Sequence, residues 1–178
     1  MRIIKDKIVG QFGNRGGGTG FQPVREFKIY RRNLPHWQSP GSVYFITFRT
    51  SKDTVLSESA RDIVFNSILY WKDKKFNLFG AVVMPDHAHL ILQPLEKIPE
   101  SFFSLTEILH SIKSYSSNQI NKMLRRSGAI WLDENFDRII RSESELLEKM
   151  NYIMNNPVKV GLVGNPEDYK WLYLEGLK

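Results

Sequence analysis

Cysteine is absent from the 178 residues, so this chain has neither a disulfide scaffold nor a thiolate zinc site available to it. Long hydrophobic runs are missing as well. No apolar stretch reaches the ~18–20 residues that cross a bilayer, and the N-terminus lacks the apolar segment of about 7–15 residues that marks a signal peptide. These absences predict a soluble cytoplasmic protein with no membrane partner. Acidic residues are scarce in one region only. Lys and Arg together number 25 against 19 Asp and Glu, a net charge of +6. Residues 1–35 hold Arg2, Lys5, Lys7, Arg15, Arg25, Lys28, Arg31 and Arg32 against Asp6 and Glu26, so the whole excess lies there and the body is neutral. Half of the glycines, six of twelve, fall between residues 10 and 20. That composition predicts a flexible basic arm over residues 1–24. Residues 25–178 then form a single domain, since 42% hydrophobic residues and four tryptophans supply a core.

After the glycines, Arg25 to Trp37 mixes cations with aromatic rings (Arg25, Phe27, Lys28, Tyr30, Arg31, Arg32, His36, Trp37). Such a mixture suits phosphate contact and base stacking, and a solvated loop has the same look. Further on, Val43 to Thr50 is a β-prone run with Tyr44, Ile46 and Phe48 on one face. Ser57 to Lys74 puts Ala60, Ile63, Val64, Ile68 and Trp71 at helical spacing, with Ser57 or Ser59 as the cap. Phe76–Met84 and His87–Gln93 are short apolar runs on either side of Pro85-Asp86, two strands joined by a tight turn. Ser104–Arg126 is a long amphipathic helix striped by Leu105, Ile108, Leu109, Ile112, Ile120 and Met123. Ala129–Trp131 and Arg138–Arg141 form a further strand or a broken pair. Glu143–Asn155 is a helix that Asn156-Pro157 should end, because a residue before proline avoids the α region. The order β, α, β, β, α, β and an added helix is that of an α+β, ferredoxin-like (RRM-like) antiparallel sheet with helices on one face and a C-terminal helical extension. Sheets of this kind commonly bind single-stranded nucleic acid on the open face.

The chemistry centres on His87-Ala88-His89. On an extended segment residues two apart share a face, so both imidazoles project from one side of the sheet and can chelate one divalent ion. An isolated His-x-His is also the pattern of two partly buried histidines bonded to the backbone, and a third ligand is needed to tell them apart. The long helix offers one: Tyr115 and Gln119, four residues apart, are neighbours on one helical face. Tyr115 equally suits a half-buried packing role with a wet hydroxyl. Together the two imidazoles, an amide oxygen and a phenol make a coherent site, with a cation as Lewis acid on a phosphate and the phenol attacking phosphorus. A nitrogen and oxygen ligand set without thiolate favours Mg2+ or Mn2+. Zinc ranks lower, because the third histidine it would use, His110, is rotated about 140° from Tyr115 around the helix.

These residues carry a resemblance. Met84-Pro85-Asp86-His87-Ala88-His89-Leu90 with Lys113-Ser114-Tyr115-Ser116 resembles the single-tyrosine transposases of the HUH endonuclease superfamily, and most nearly the REP-associated tyrosine transposases. The likeness extends to Arg32–Trp37, Tyr44–Arg49, Trp131–Arg141 and Tyr152-Ile153-Met154-Asn155-Asn156-Pro157-Val158-Lys159-Val160-Gly161-Leu162-Val163, about residues 25 to 173 in all. It implies a divalent-metal endonuclease and strand transferase that links transiently to single-stranded DNA through a 5′-phosphotyrosine, cutting beside hairpins formed by palindromic repeats. His87 and His89 would be metal ligands, Tyr115 the nucleophile and Gln119 the polar ligand one turn on. The family commonly has Asn where Asp86 stands, which adds a negative charge beside the metal site, and Ala where Val160 stands.

Trp131, Phe136 and Tyr152 read as core. Asp137-Arg138 suits a structural ion pair, with Arg138 a DNA contact as the alternative. Lys113 on the tyrosine helix suits either phosphate or solvent. A hairpin-binding protein without catalytic activity is the rival reading on the same fold. Either way the partner is DNA, the place of work the nucleoid, and the assembly a monomer or a homodimer. A two-histidine phosphoesterase of RNA ends would need a second His-x-Ser/Thr motif, and the sequence has none.

Overall fold

The computed structural model describes residues 28–31, 35–38, 41–51 and 54–176. In chain order its elements are β1 (Lys28–Arg31), β2 (Pro35–Gln38), β3 (Val43–Thr50), α1 (Glu58–Trp71), β4 (Phe76–Val83), β5 (His87–Pro94), β6 (Glu96–Ile98), β7 (Ser101–Phe102), α2 (Leu105–Met123), β8 (Trp131–Ile140) and α3 (Glu143–Lys159). A 3-10 turn, Pro166–Asp168, and β9 (Leu172–Leu174) follow. The main sheet has the order β8-β3-β5-β4-β9 with every neighbouring pair antiparallel. Its first four strands are the ferredoxin-like arrangement, and β9 is added at the β4 edge. No helix among the described residues is long and apolar enough to cross a membrane.

Helix starts follow from local chemistry. Ser57 accepts the Ala60 N–H at the start of α1, and Ser104 exchanges bonds with Glu107 in a capping box at the start of α2. Hydrogen bonds from Lys97 and from the Ser104 N–H and hydroxyl hold the Glu107 carboxyl down to about 2. α1 stops at Trp71, where Lys72 leaves helical geometry and Asp73 takes φ 62°.

The end of α3 differs from expectation. Pro157 lies inside the helix, which continues to Lys159. Proline inside a helix forfeits its own bond to the preceding turn and crowds the carbonyl one turn back, and here the helix runs on regardless. The true stop is Gly161 at φ 73°, where Gly161 N–H bonds Val158 O at 3.0 Å and Leu162 N–H bonds Pro157 O at 2.9 Å, the paired closure of a Schellman motif. Of the two alternatives at the next stretch, a further strand or a broken pair, the structure takes the first: residues 131–140 form one continuous strand, with an irregularity in the pairing between Phe48 and Thr50. The hairpins β1–β2 and β6–β7 and the short β9 were not anticipated; their short runs show no period long enough to read.

The two faces of the sheet are covered by different helices. Phe48 packs edge-on against Trp131, whose indole N–H donates to Ser116 Oγ on α2 at 3.0 Å, so α2 covers the face of Phe48. α1 packs beside it. Ala88 pairs with Phe48 and Leu90 with Ile46, so the even residues of β5 belong to that face. The odd residues of β3 and β5 point the other way, where α3 packs on β4, β9 and β5. The central strands are therefore apolar on both sides and almost wholly buried. Toward β8 the α3 face is left open: Arg49 and Phe136 lie exposed on it.

Candidate active site

Three residues, Met84, Pro85 and Asp86, connect β4 to β5, and Met84 N–H bonds His87 O at 2.8 Å across the turn. Asp86 O accepts the Thr50 N–H at 2.9 Å and Pro85 O accepts the Leu56 N–H at 2.7 Å, so neighbouring segments grip the turn on both carbonyls. His87 and His89 follow on one face, their ring centroids 4.7 Å apart. Each ring is held through Nδ1: His87 by Asp86 Oδ1 at 2.6 Å, His89 by Thr47 Oγ1 at 2.8 Å. Holding Nδ1 this way orients Nε2 as the coordinating atom, the usual support for a metal-binding imidazole.

His89 is 5% exposed, and its Nε2 is buried with no hydrogen-bond partner among the described residues. A buried polar atom left so costs about 1–3 kcal/mol, and a cation would satisfy it. Burial, with His87 and the Arg49 guanidinium adding to it against Asp86, pushes the His89 imidazolium down to about 3, so the ring is neutral with a lone pair to give. The donor set fits a divalent ion in part. No cluster of three or more His, Cys, Asp or Glu side chains forms among the described residues, so further ligands must be amide, water or substrate oxygens.

The side chain that packs on His89 from α3 is Tyr152. Its ring lies 5.1 Å from the His89 ring and 6.0 Å from that of Phe45, both edge-on. The Lys159 ammonium sits 5.4 Å from its centroid. Tyr152 is 39% exposed. Asn156, one turn on, is buried at 6% exposure and makes no side-chain hydrogen bond among the described residues. A phenol thus meets His89 from α3, with a buried amide four residues on. The same spacing was available in the sequence at these positions, and reading Tyr152 as core concealed it. Phe136, also read as core, is 56% exposed, whereas Trp131 is buried as expected.

Tyr115 and Gln119 do not join this group within one chain. Tyr115 is 53% exposed on α2, which covers the Phe48 face, and the sheet stands between it and His87 and His89. The parity of β5 decides this: with Ala88 and Leu90 turned toward α2, the histidines must turn toward α3. His110 lies in a groove between α2 and β8 on the α2 side and is equally remote from them.

Lys113 Nζ donates to Leu132 O at 2.6 Å and Asp133 O at 3.2 Å, tying α2 to β8. Arg138 Nε lies 3.0 Å from Glu145 Oε1, an ion pair whose acidic member is on α3 rather than the adjacent Asp137. Lys28 and Arg31 fall on β1 and Trp37 on β2, with Ile29 opposite Trp37 in the hairpin. Arg25, Arg32 and the arm over residues 1–24 lie outside the described residues.

Residues 42–156 match the model of the family described as IS200-like transposase. A protein of Haemophilus influenzae that carries the name REP-associated tyrosine transposase is 27% identical over 159 residues, covering 80% of this chain and 82% of its own. A solved structure of a REP-associated tyrosine transposase bound to a REP hairpin superposes with a TM-score of 0.63 at 22% identity, covering 82% of this chain and 81% of that one.

Proposed function

This chain belongs to the IS200-like transposase family, and on that premise we propose that it cuts and rejoins single-stranded DNA beside hairpins of palindromic repeats. His87 and His89 would hold a divalent cation, Mg2+ or Mn2+, and Tyr152 would be the nucleophile. The observation that carries this reading is the Tyr152 ring against His89, whose Nε2 lacks a partner. The hairpin substrate rests on the relatives, one named for REP association and one solved with a REP hairpin.

The steps follow from the residues. The Tyr152 hydroxyl gives up its proton to solvent and its oxygen attacks the scissile phosphorus, forming a phosphotyrosine bond to the 5′ end and releasing a 3′-hydroxyl. Attack by a 3′-hydroxyl on that bond reverses the chemistry and frees Tyr152, so strands are exchanged without an energy source. A bound cation would supply charge stabilisation at the phosphate oxygens. Asp86 and Thr47 hold the imidazoles through Nδ1 so that Nε2 would be the atom to bind it, Asn156 would offer an amide oxygen, and Lys159 offers positive charge beside the phenol.

Trapping decides among the readings. Incubation with a hairpin oligonucleotide and Mn2+, then trypsin and mass spectrometry, should find the adduct on the peptide Met150–Lys159. An adduct on Ser114–Lys122 would restore Tyr115 as nucleophile, with Gln119 as ligand in a shared dimeric site. Tight binding with no adduct would favour the non-catalytic hairpin binder.

A further inference from the structure

The open half of the α3 face carries an aromatic ring that the fold does not use. Phe136 pairs with Thr47 across β8 and β3, and Arg138 with Phe45, so Phe136 shares the face of His89 and Tyr152. Thr47 is the residue that holds His89, which places Phe136 about 10 Å from the histidine strand, two strand spacings away. At 56% exposure the ring packs on little, although neighbouring core positions of the sheet are fully buried. A cation accompanies it: Arg49 pairs with His87 on the same face, is exposed, and makes no ion pair among the described residues. An exposed ring beside a guanidinium on an open antiparallel sheet is the arrangement that stacks one base and holds one phosphate of a single strand.

We propose that Phe136 is a stacking platform for an unpaired DNA base next to the phosphate presented to Tyr152, and that Arg49 holds the backbone phosphate between them. The inference rests on the reading of the site as one that cuts single-stranded DNA. The platform positions the strand and takes no part in bond breaking. Its occupant is a nucleobase rather than a second protein surface, because the ring adjoins the candidate site and the side chain beside it is cationic.

The experiment is binding of a fluorescent hairpin with a single-stranded flank to the full chain in EDTA, where cleavage cannot intervene, with an abasic site moved along the flank one position at a time. Phe136→Ala should weaken binding about tenfold, and Phe136→Trp should restore it. One abasic position should weaken the native protein by the same factor and leave Phe136→Ala indifferent. Arg49→Gln should lower the slope of log affinity against log salt by about 0.7. Affinity within twofold of native for Phe136→Ala, with every abasic effect retained, would overturn the proposal, as would a change confined to the protein's sedimentation, which would make the ring a contact between copies. The nucleophile is judged separately: if Tyr152→Phe still forms the adduct, that assignment fails while the Phe136 result stands.

Discussion

The imidazole of His89 and the phenol ring of Tyr152 meet edge-on, 5.1 Å apart at an interplanar angle of 69°, although one lies in a central strand and the other on the C-terminal helix. Strand parity and the placement of α3 produce this meeting together. Tyr152→Phe keeps the ring and removes the oxygen. Its covalent capture of a hairpin oligonucleotide should fall at least about a thousandfold with DNA affinity nearly unchanged. Tyr115→Phe should capture normally and melt within ~0.5 kcal/mol of native, because that side chain is largely exposed.

The supports of the two imidazoles should govern cation affinity. Asp86→Ala and Thr47→Val each free one Nδ1, and each should weaken Mn2+ binding about 10- to 100-fold by titration calorimetry without DNA. Affinity unchanged in both variants would mean that the histidines do not bind the ion through Nε2.

Acid should loosen α2 through its cap. Hydrogen bonds hold the Glu107 carboxyl down to about 2 when folded, against about 4.5 for a free glutamate, so its contribution is fully present above about 4.5 and is lost as pH falls toward 2. Glu107→Gln should flatten the fall in melting temperature over that window. A native-like acid limb in the variant would show that other carboxylates dominate.

Much of the fold was legible because the signals are local. Short β-prone and apolar runs mark β3, β4 and β5, 3.6-residue spacing marks α1 and α2, and Ser57 and Ser104 cap as their side chains dictate. The shared face of His87 and His89 followed from the two-residue period. The partner of that pair did not. A tyrosine with an amide four residues later occurs at Tyr115/Gln119 and again at Tyr152/Asn156, and only the three-dimensional assignment of helices to faces distinguishes them. Phe136 was misread for a related reason. Its apolar character suits a core, but α3 covers the β4 side of the sheet and leaves Phe136 exposed.

Gly161 should be the least replaceable residue at the end of α3. With φ at 73° and nothing within 4 Å of an added Cβ, Gly161→Ala brings backbone strain without a clash. The cost should be about 1 kcal/mol, a fall in melting temperature of roughly 2–4 °C. No change would mean that the helix end relaxes freely.

The N-terminal charge can be tested apart from the core. Removing residues 1–24 deletes Arg2, Lys5, Lys7 and Arg15 against Asp6, a net +3. If the arm grips DNA, the slope of log affinity against log salt should fall by about 2 for a single strand, with the melting temperature of the domain unchanged. An unaltered slope would remove the arm from the interface.

The Schellman closure at Gly161 has a consequence in time as well as in space. A chain folds as it leaves the ribosome from its N-terminal end, so Thr47 and the β4–β5 hairpin are available early. Tyr152 reaches His89 only once α3 has been made and sealed at its far end. A nascent or prematurely terminated chain would have the histidine pair without the phenol that packs against it. On the proposed function, such fragments would lack the nucleophile and form no adduct with DNA.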